Sequence, residues 1–172
     1  MNHNITVTNG NVRLRPLSKN DIELLRVWRN DNDNSKFLSP VPHITPERQQ
    51  AWFGDYLADS DTYSWAIDEI LELDRCVGSV SLYHFTKDLS AFGNHEYDLS
   101  IKNEEAKAKG LACEFGRLMI GDTEARGKKI GLSATKLCVD IAFKILDVEI
   151  LYLSVDKENI PAYKIYREAG FA

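Results

Sequence analysis

Three cations, Arg126, Lys128 and Lys129, fall within four residues in the run EFGRLMIGDTEARGKKIGL, Glu114 to Leu132, and Gly127 and Gly131 flank the two lysines. Before them lies an apolar stretch suited to a strand, and after them apolar residues recur at helical spacing. A strand that enters a basic, glycine-containing loop and then a helix brings free backbone N–H groups and the positive end of a helix dipole to one place. The chemistry that fits is the binding of a phosphate group; the alternative is a solvated basic turn. The chain as a whole carries 26 acidic and 21 basic side chains, for a net charge of −5. It has no general attraction for nucleic acid, so this local positive charge requires a local explanation.

Two common phosphate motifs fail here. A Walker loop needs GxxxxGK followed by Ser or Thr, whereas Gly121 and Gly127 are separated by five intervening residues rather than four and Lys128 is followed by Lys129. A dinucleotide fingerprint needs GxGxxG after the first strand, and neither the spacing nor the third glycine is present.

The elements that must position this loop can be read along the chain. Val12 to Leu17 alternates as a strand, and Ser18 with Asp21 has the form of a capping box that opens a helix through Trp28 and Arg29. Asp31 to Ser39 is polar and turn-rich. Thr45-Pro46 supplies an N-cap and first-turn proline for a second helix that carries Leu57 and the aromatic residues Trp52, Phe53 and Tyr56, the aromatics being expected in the core. Tyr63–Ile70 and Arg75–Phe85 form a predicted antiparallel hairpin, with Gly78 as a bulge or close-approach point. His95–Ile101 and Glu114–Ile120 are further strands, and KNEEAKAKG between them is a charged connection. Ala134, Leu137, Ile141, Ala142 and Ile145 predict a helix from Ile130 to about Leu146. ILYLSV within Glu149–Val155 reads as a buried strand. Asn159, Pro161 and Gly170 punctuate a short last helix.

With 172 residues and 44% hydrophobic content, the chain can bury one full core, and a single domain is expected over residues 1–172. Cys76, Cys113 and Cys138 are odd in number and widely spaced. Neither they nor the scattered histidines suggest a disulfide framework or a metal site. The polar start and the lack of a long apolar run give the expectation of a cytoplasmic protein without membrane attachment. Strands followed by alternating strand and helix point to an α+β fold.

Arg126-Gly127-Lys128-Lys129-Ile130-Gly131 resembles the signature of the GNAT acetyltransferase superfamily: Arg or Gln, two residues, Gly, one residue, then Gly or Ala at the start of a helix. Lys129 stands where the family has glycine. About thirty residues later, ILYLSVDKENIPAYKIYREAGF is similar to the family's second hallmark, with Asn159, Ala162, Tyr166, Gly170 and Phe171 in register. VRLRPLSKNDIELLRVWRN resembles the opening of the branch that acetylates ribosomal-protein N-termini and nucleotide-linked amino sugars. Residues 86–112 match least and read as a variable insertion.

The resemblance implies a mostly antiparallel, splayed sheet flanked by helices, with acetyl-CoA as cosubstrate. It implies that Arg126, Gly127, Lys128, Lys129, Ile130, Gly131 and Ser133 receive the pyrophosphate. Leu118, Met119 and Ile120 would face the pantetheine arm, and Asn159 would bond the cofactor or act as a plain N-cap. Tyr166 matches the donor to the leaving thiolate, with Tyr163 as fallback. Glu114 resembles the position that accepts the amine proton, with Glu96, Asp98 and His84 as rivals. Trp28, Arg29, Asn30 and the Phe37–His43 loop would lie on the acceptor side. The expected activity is direct transfer of acetyl to a primary amine, of a small molecule such as an amino sugar or else of a protein N-terminus. A non-catalytic acyl-CoA-binding module is the competing class. The chain stops at Gly170-Phe171-Ala172, where the family continues into closing strands, so either the sequence is shortened or those strands come from elsewhere, with strand exchange in a homodimer as one repair.

Overall fold

The computed structural model describes residues 3–90, 92 and 97–172. Alternation buries Val12 and Leu14 in β2 (Val12–Pro16), which pairs with β1 (Val7–Asn9) on one side and β3 (Thr62–Glu69) on the other. The predicted hairpin forms between β3 and β4 (Arg75–Thr86). Beyond it lie β5 (Asp98–Lys102), β6 (Ala112–Ile120) and β7 (Ile150–Ser154), in the sheet order β1-β2-β3-β4-β6-β7-β5. Every pairing is antiparallel except β6 with β7, which run parallel. β1 lies in the polar N-terminal stretch, where an edge strand needs no apolar alternation to pair. His95 and Glu96 lie outside the described residues, and the strand expected there begins at Asp98.

One face of the sheet packs on α4 (Ile130–Asp140) and α5 (Ile160–Glu168) through a core that includes Leu82, Phe115, Leu137, Ile141, Leu151 and Phe171. The other face meets α1 (Ile22–Asn30) and α3 (Pro46–Ala58) through Leu25, Trp28, Tyr56, Ala66 and Met119. A short α2 (Asn32–Ser35) occupies the turn-rich stretch, where the Asp31 carboxylate accepts the N–H groups of Asp33 and Asn34. The expected long helix after Ile130 is α-helical to Asp140 and then widens into a π turn, Ile141–Ile145, closed by Leu146 N–H donating to Ile141 O at 2.9 Å. The wide turn keeps Ile141 and Ala142 fully buried.

Thr45 and Asn159 are both N-caps, their side chains accepting from Arg48 and Ala162. The Ser18–Asp21 box is only half made. Ser18 donates its N–H and hydroxyl to Asp21 Oδ2 at 2.8 and 2.7 Å, but the hydroxyl does not accept the Asp21 N–H, which bonds Ser18 O at 3.0 Å, and the helix begins at Ile22. The Asp21 carboxylate also has a partner on another element: Arg15 grips both of its oxygens at 2.8 Å and donates to Asp68 at 2.9 Å. This buried cluster pins α1 to the sheet. Burial alone would raise the Asp21 carboxyl; the bonds from Arg15 and Ser18 outweigh it and hold the group below its ordinary value of 3.8.

A carboxyl lowered by folding contributes stability that is complete above its unfolded value and disappears as pH falls through the folded one. Arg15→Ala is therefore expected to cost about 3 kcal/mol near neutral pH, by leaving the buried Asp21 carboxylate without its cation while Asp68 keeps Arg13, and to flatten the stability loss below about pH 4. Urea unfolding across that range measures both; parallel curves for the two proteins would contradict the assignment.

Candidate active site

The parallel pairing of β6 and β7 is short. It joins Ala112, Cys113 and Glu114 to Ile150, Leu151 and Tyr152, after which no pairing continues. From Phe115 onward the strands diverge, and the inner edge of β6 faces a groove of about 1280 Å³. On its other side β6 pairs with β4, but irregularly: Ser79 opposes Met119 while Ser81 opposes Gly116, so β6 carries an extra residue. Arg117 takes up that bulge at φ 54°, a left-handed conformation unusual without glycine. Gly78 is the close-approach point expected from the sequence, since a Cβ there would lie 2.1 Å from Met119 O.

Three non-glycine residues with positive φ border this groove: His84 at 52°, Arg117 at 54° and Lys129 at 58°. Strain of this kind, of order 1–3 kcal/mol per residue, clusters where function requires it. At Lys129 it also explains the departure from the signature. The residue heads α4 in the left-handed region that a glycine would occupy, so the backbone path is kept and only the side chain differs.

The basic loop opens α4 as expected. The first helical bond runs from Ser133 N–H to Lys129 O at 3.0 Å, so the preceding N–H groups of Ile130, Gly131 and Leu132 stand at the helix's positive end. Arg126, Gly127, Lys129, Ile130 and Gly131 line the groove, together with Leu118, Met119, Ile120 and Asn159. Lys128 and Ser133 do not. Lys128 turns outward to pair with Glu72, and the Ser133 N–H is spent inside the helix.

Glu114 and Tyr166 approach the groove from different elements. Glu114 sits at the point of divergence, where its oxygens take the Tyr83 hydroxyl and His84 Nδ1, each at 2.9 Å. Gly116 makes room for this arrangement, since a Cβ there would lie 2.5 Å from the Tyr83 oxygen. Burial, then the Glu114 charge, push the Tyr83 phenol far up, so it donates rather than ionises. A carboxylate on Nδ1 selects the imidazole tautomer in which Nδ1–H donates and Nε2 carries the free lone pair. Tyr166 is packed edge-on to Phe115 with ring centroids 5.6 Å apart, and its hydroxyl has no hydrogen-bond partner among the described residues. Burial pushes its pKa up to about 12. Tyr163 is exposed and lies off the groove.

Several acceptor-side expectations need correction. Trp28 is buried beneath Gly121, where a Cβ would lie 2.0 Å from the indole, and it does not reach the groove. Asn30 is occupied by both backbone polar groups of Ile44, each at 2.9 Å, and fixes the loop before α3. Arg29, Phe37, Ser39 and Val41 do face the groove, and so does Trp52, which was expected in the core. Asp98 accepts the Ser154 hydroxyl on the far strands, away from Glu114. Tyr83 and Arg117 were missed, since a strand pattern gives no sign of a bulge that turns them inward.

A family model described as an acetyltransferase (GNAT) domain matches residues 11–172. The chain belongs to the GNAT family. The fold agrees: spermidine N-acetyltransferase from Vibrio cholerae, solved with CoA and spermine, superposes with a TM-score of 0.74 at 20% identity, over 95% of this chain and 82% of that one. A domain from Methanocaldococcus jannaschii gives 0.68 at 21% identity, over 95% and 90%. In sequence, the spermidine N(1)-acetyltransferase of Escherichia coli K12 is 47% identical over 49 residues, which is 28% of this chain. That match spans 26% of the relative's length.

The GNAT groove also suits CoA chemically. It combines a cationic helix start for a diphosphate with an unpaired strand edge for an extended amide-bearing arm. The three cysteines are buried and free, and burial raises all their thiols, Cys76 to about 11, so none is prepared as a nucleophile. Among the described residues no group of His, Cys, Asp or Glu could hold a metal ion, and no helix is long and apolar enough to cross a membrane.

Proposed function

We propose that this protein is a cytoplasmic N-acetyltransferase that moves acetyl from acetyl-CoA to a primary amine of a small molecule, directly and within a ternary complex. The observation that carries the reading is the convergence, on one groove, of the basic helix start, the free edge of β6, the Glu114 cluster and the Tyr166 hydroxyl. Acetyl-CoA supplies the thioester. Arg126, Lys129 and the first N–H groups of α4 hold its diphosphate, and the backbone at Leu118–Ile120 orients its arm. Glu114, with His84 as partner, takes the proton from the incoming ammonium so that a neutral amine attacks the carbonyl. Tyr166 gives its proton to the departing thiolate.

The acceptors named for the relatives are polyamines. They favour a small molecule over a protein N-terminus and lend nothing to the amino-sugar acceptor expected from the sequence, so spermidine is the first amine to test. The dodecameric structure known for the Vibrio cholerae enzyme supports self-association as part of the same reading.

Thiol release from acetyl-CoA should appear with at least one amine in a panel of spermidine, amino sugars and peptide N-termini, alongside CoA binding by calorimetry. Binding without turnover on any amine would leave a CoA-binding module. Absence of CoA binding would sink the reading altogether.

A further inference from the structure

The arginines divide by location. Away from the groove, Arg13, Arg15, Arg26 and Arg75 each meet a carboxylate; Arg167, on α5, is the exception. In the groove, none of Arg29, Arg48, Arg117 and Arg126 forms an ion pair among the described residues. Arg29 donates to Ser39 O, Arg48 to His43 O at 3.0 Å and Arg126 to Asn34 Oδ1 at 2.6 Å, while Arg117 lies over the Tyr83 ring at 4.3 Å. Each keeps its charge and most of its donors uncommitted. In a chain of net charge −5 that pairs four of its five other arginines, this is a pattern to be explained.

Arg126 is accounted for by the cofactor loop. The other three come from α1, α3 and the β6 bulge, on the face that also carries Glu114. Arg29 and Arg117 are near neighbours: burial first, and then the Arg117 charge, lower the pKa of the Arg29 guanidinium. Two like charges turned into one groove repel unless an anion lies between them. Asp33, on α2, also lines the groove but forms no ion pair with any of the three among the described residues, and two nearer carboxylates are engaged elsewhere. Glu114 holds Tyr83 and His84, and Asp59, which feels the Arg117 charge, bonds the Asp61 N–H and the Thr62 side chain. The bulge contributes too, because it is what brings Arg117 to this side of β6 at the cost of a left-handed backbone.

We propose that Arg29, Arg48 and Arg117 form an anion subsite in the acceptor half of the groove, so that the accepted amine also carries a phosphate or carboxylate. Guanidinium groups suit such a group through paired N–H donors. The amine end then lies toward Glu114 and the acidic end toward α1 and α3. This rests on the acetyltransfer reading for what the bound molecule undergoes. It also runs against a polyamine, whose cations the same arginines repel.

The test uses protein saturated with CoA, so that the Arg126 loop is already filled, titrated calorimetrically with pyrophosphate or malonate. Binding of either is expected, with the tighter probe telling phosphate from carboxylate, and a loss of at least tenfold is expected in Arg29→Gln and in Arg117→Gln. Arg117 is exposed, so its variant decides the matter even if Arg29→Gln fails to fold. In turnover, glucosamine 6-phosphate should exceed glucosamine and spermidine in kcat/KM by at least tenfold. Anion binding indifferent to both substitutions, or spermidine as the preferred acceptor, overturns the subsite. A protein that binds the anion through these arginines yet releases no thiol with any amine keeps the subsite and loses the activity.

Discussion

Tyr166→Phe is expected to lower kcat by about 10² to 10³ while leaving the KM for acetyl-CoA and the thermal stability near their starting values. The geometry makes this substitution unusually clean. The Tyr166 ring is held by Phe115 and Phe171, contacts that a phenylalanine keeps, whereas its hydroxyl bonds to nothing among the described residues. Removing the oxygen strands no donor or acceptor, so folding should not register its loss. A leaving thiolate should, because the hydroxyl serves only the state in which charge builds on sulfur. With its pKa pushed up to about 12, the phenol stays protonated throughout the working range and is always ready to donate. Steady-state kinetics with melting curves decide the point. Unchanged kcat makes Tyr166 a packing residue; a fall in stability that parallels the fall in rate points to a disturbed core.

Glu114→Gln should reduce kcat/KM for the amine by about 10²-fold, as expected for the loss of a general base. The amide preserves size and can still accept the Tyr83 hydroxyl, but it cannot take a proton or balance a charge on His84. The loss should shrink as the assay pH approaches the acceptor amine's own pKa, where free amine no longer needs an enzymic base. A constant deficit across pH would mean that the carboxylate only positions Tyr83 and His84. His84→Gln separates the two partners: a comparable loss makes the imidazole the acceptor of the proton, and a slight one leaves that role to Glu114.

The half of the groove built by the basic loop could be read from the chain because it is local. A basic loop, its glycines and the following helix are contiguous, and Asn159 and Tyr166 lie on one short, well-punctuated helix. The acceptor half is assembled from residues far apart in sequence, and local patterns fail there. Trp28 and Asn30 share α1 with Arg29, yet helical geometry sends the indole beneath Gly121 and the amide to Ile44, while only the guanidinium faces the groove. The Arg117 bulge depends on two strands slipping by one residue against each other, which neither strand's pattern records. The Arg15 grip on Asp21 is of the same kind, since it joins the start of α1 to another element and the Ser18–Asp21 spacing does not reveal it.

The early parting of β6 and β7 also ties folding to metabolism. Where neighbouring strands separate, the backbone amides along the gap are satisfied by whatever enters it, and a ligand lying there acts as one more strand contributed from outside the chain. Its concentration then becomes a variable of the folding equilibrium. At a hundred times its dissociation constant, such a ligand adds about 2.7 kcal/mol, comparable to the Arg15 cluster. A cell rich in CoA thioesters would hold this protein folded more firmly than one depleted of them, and the melting temperature should track CoA concentration before any acceptor is known.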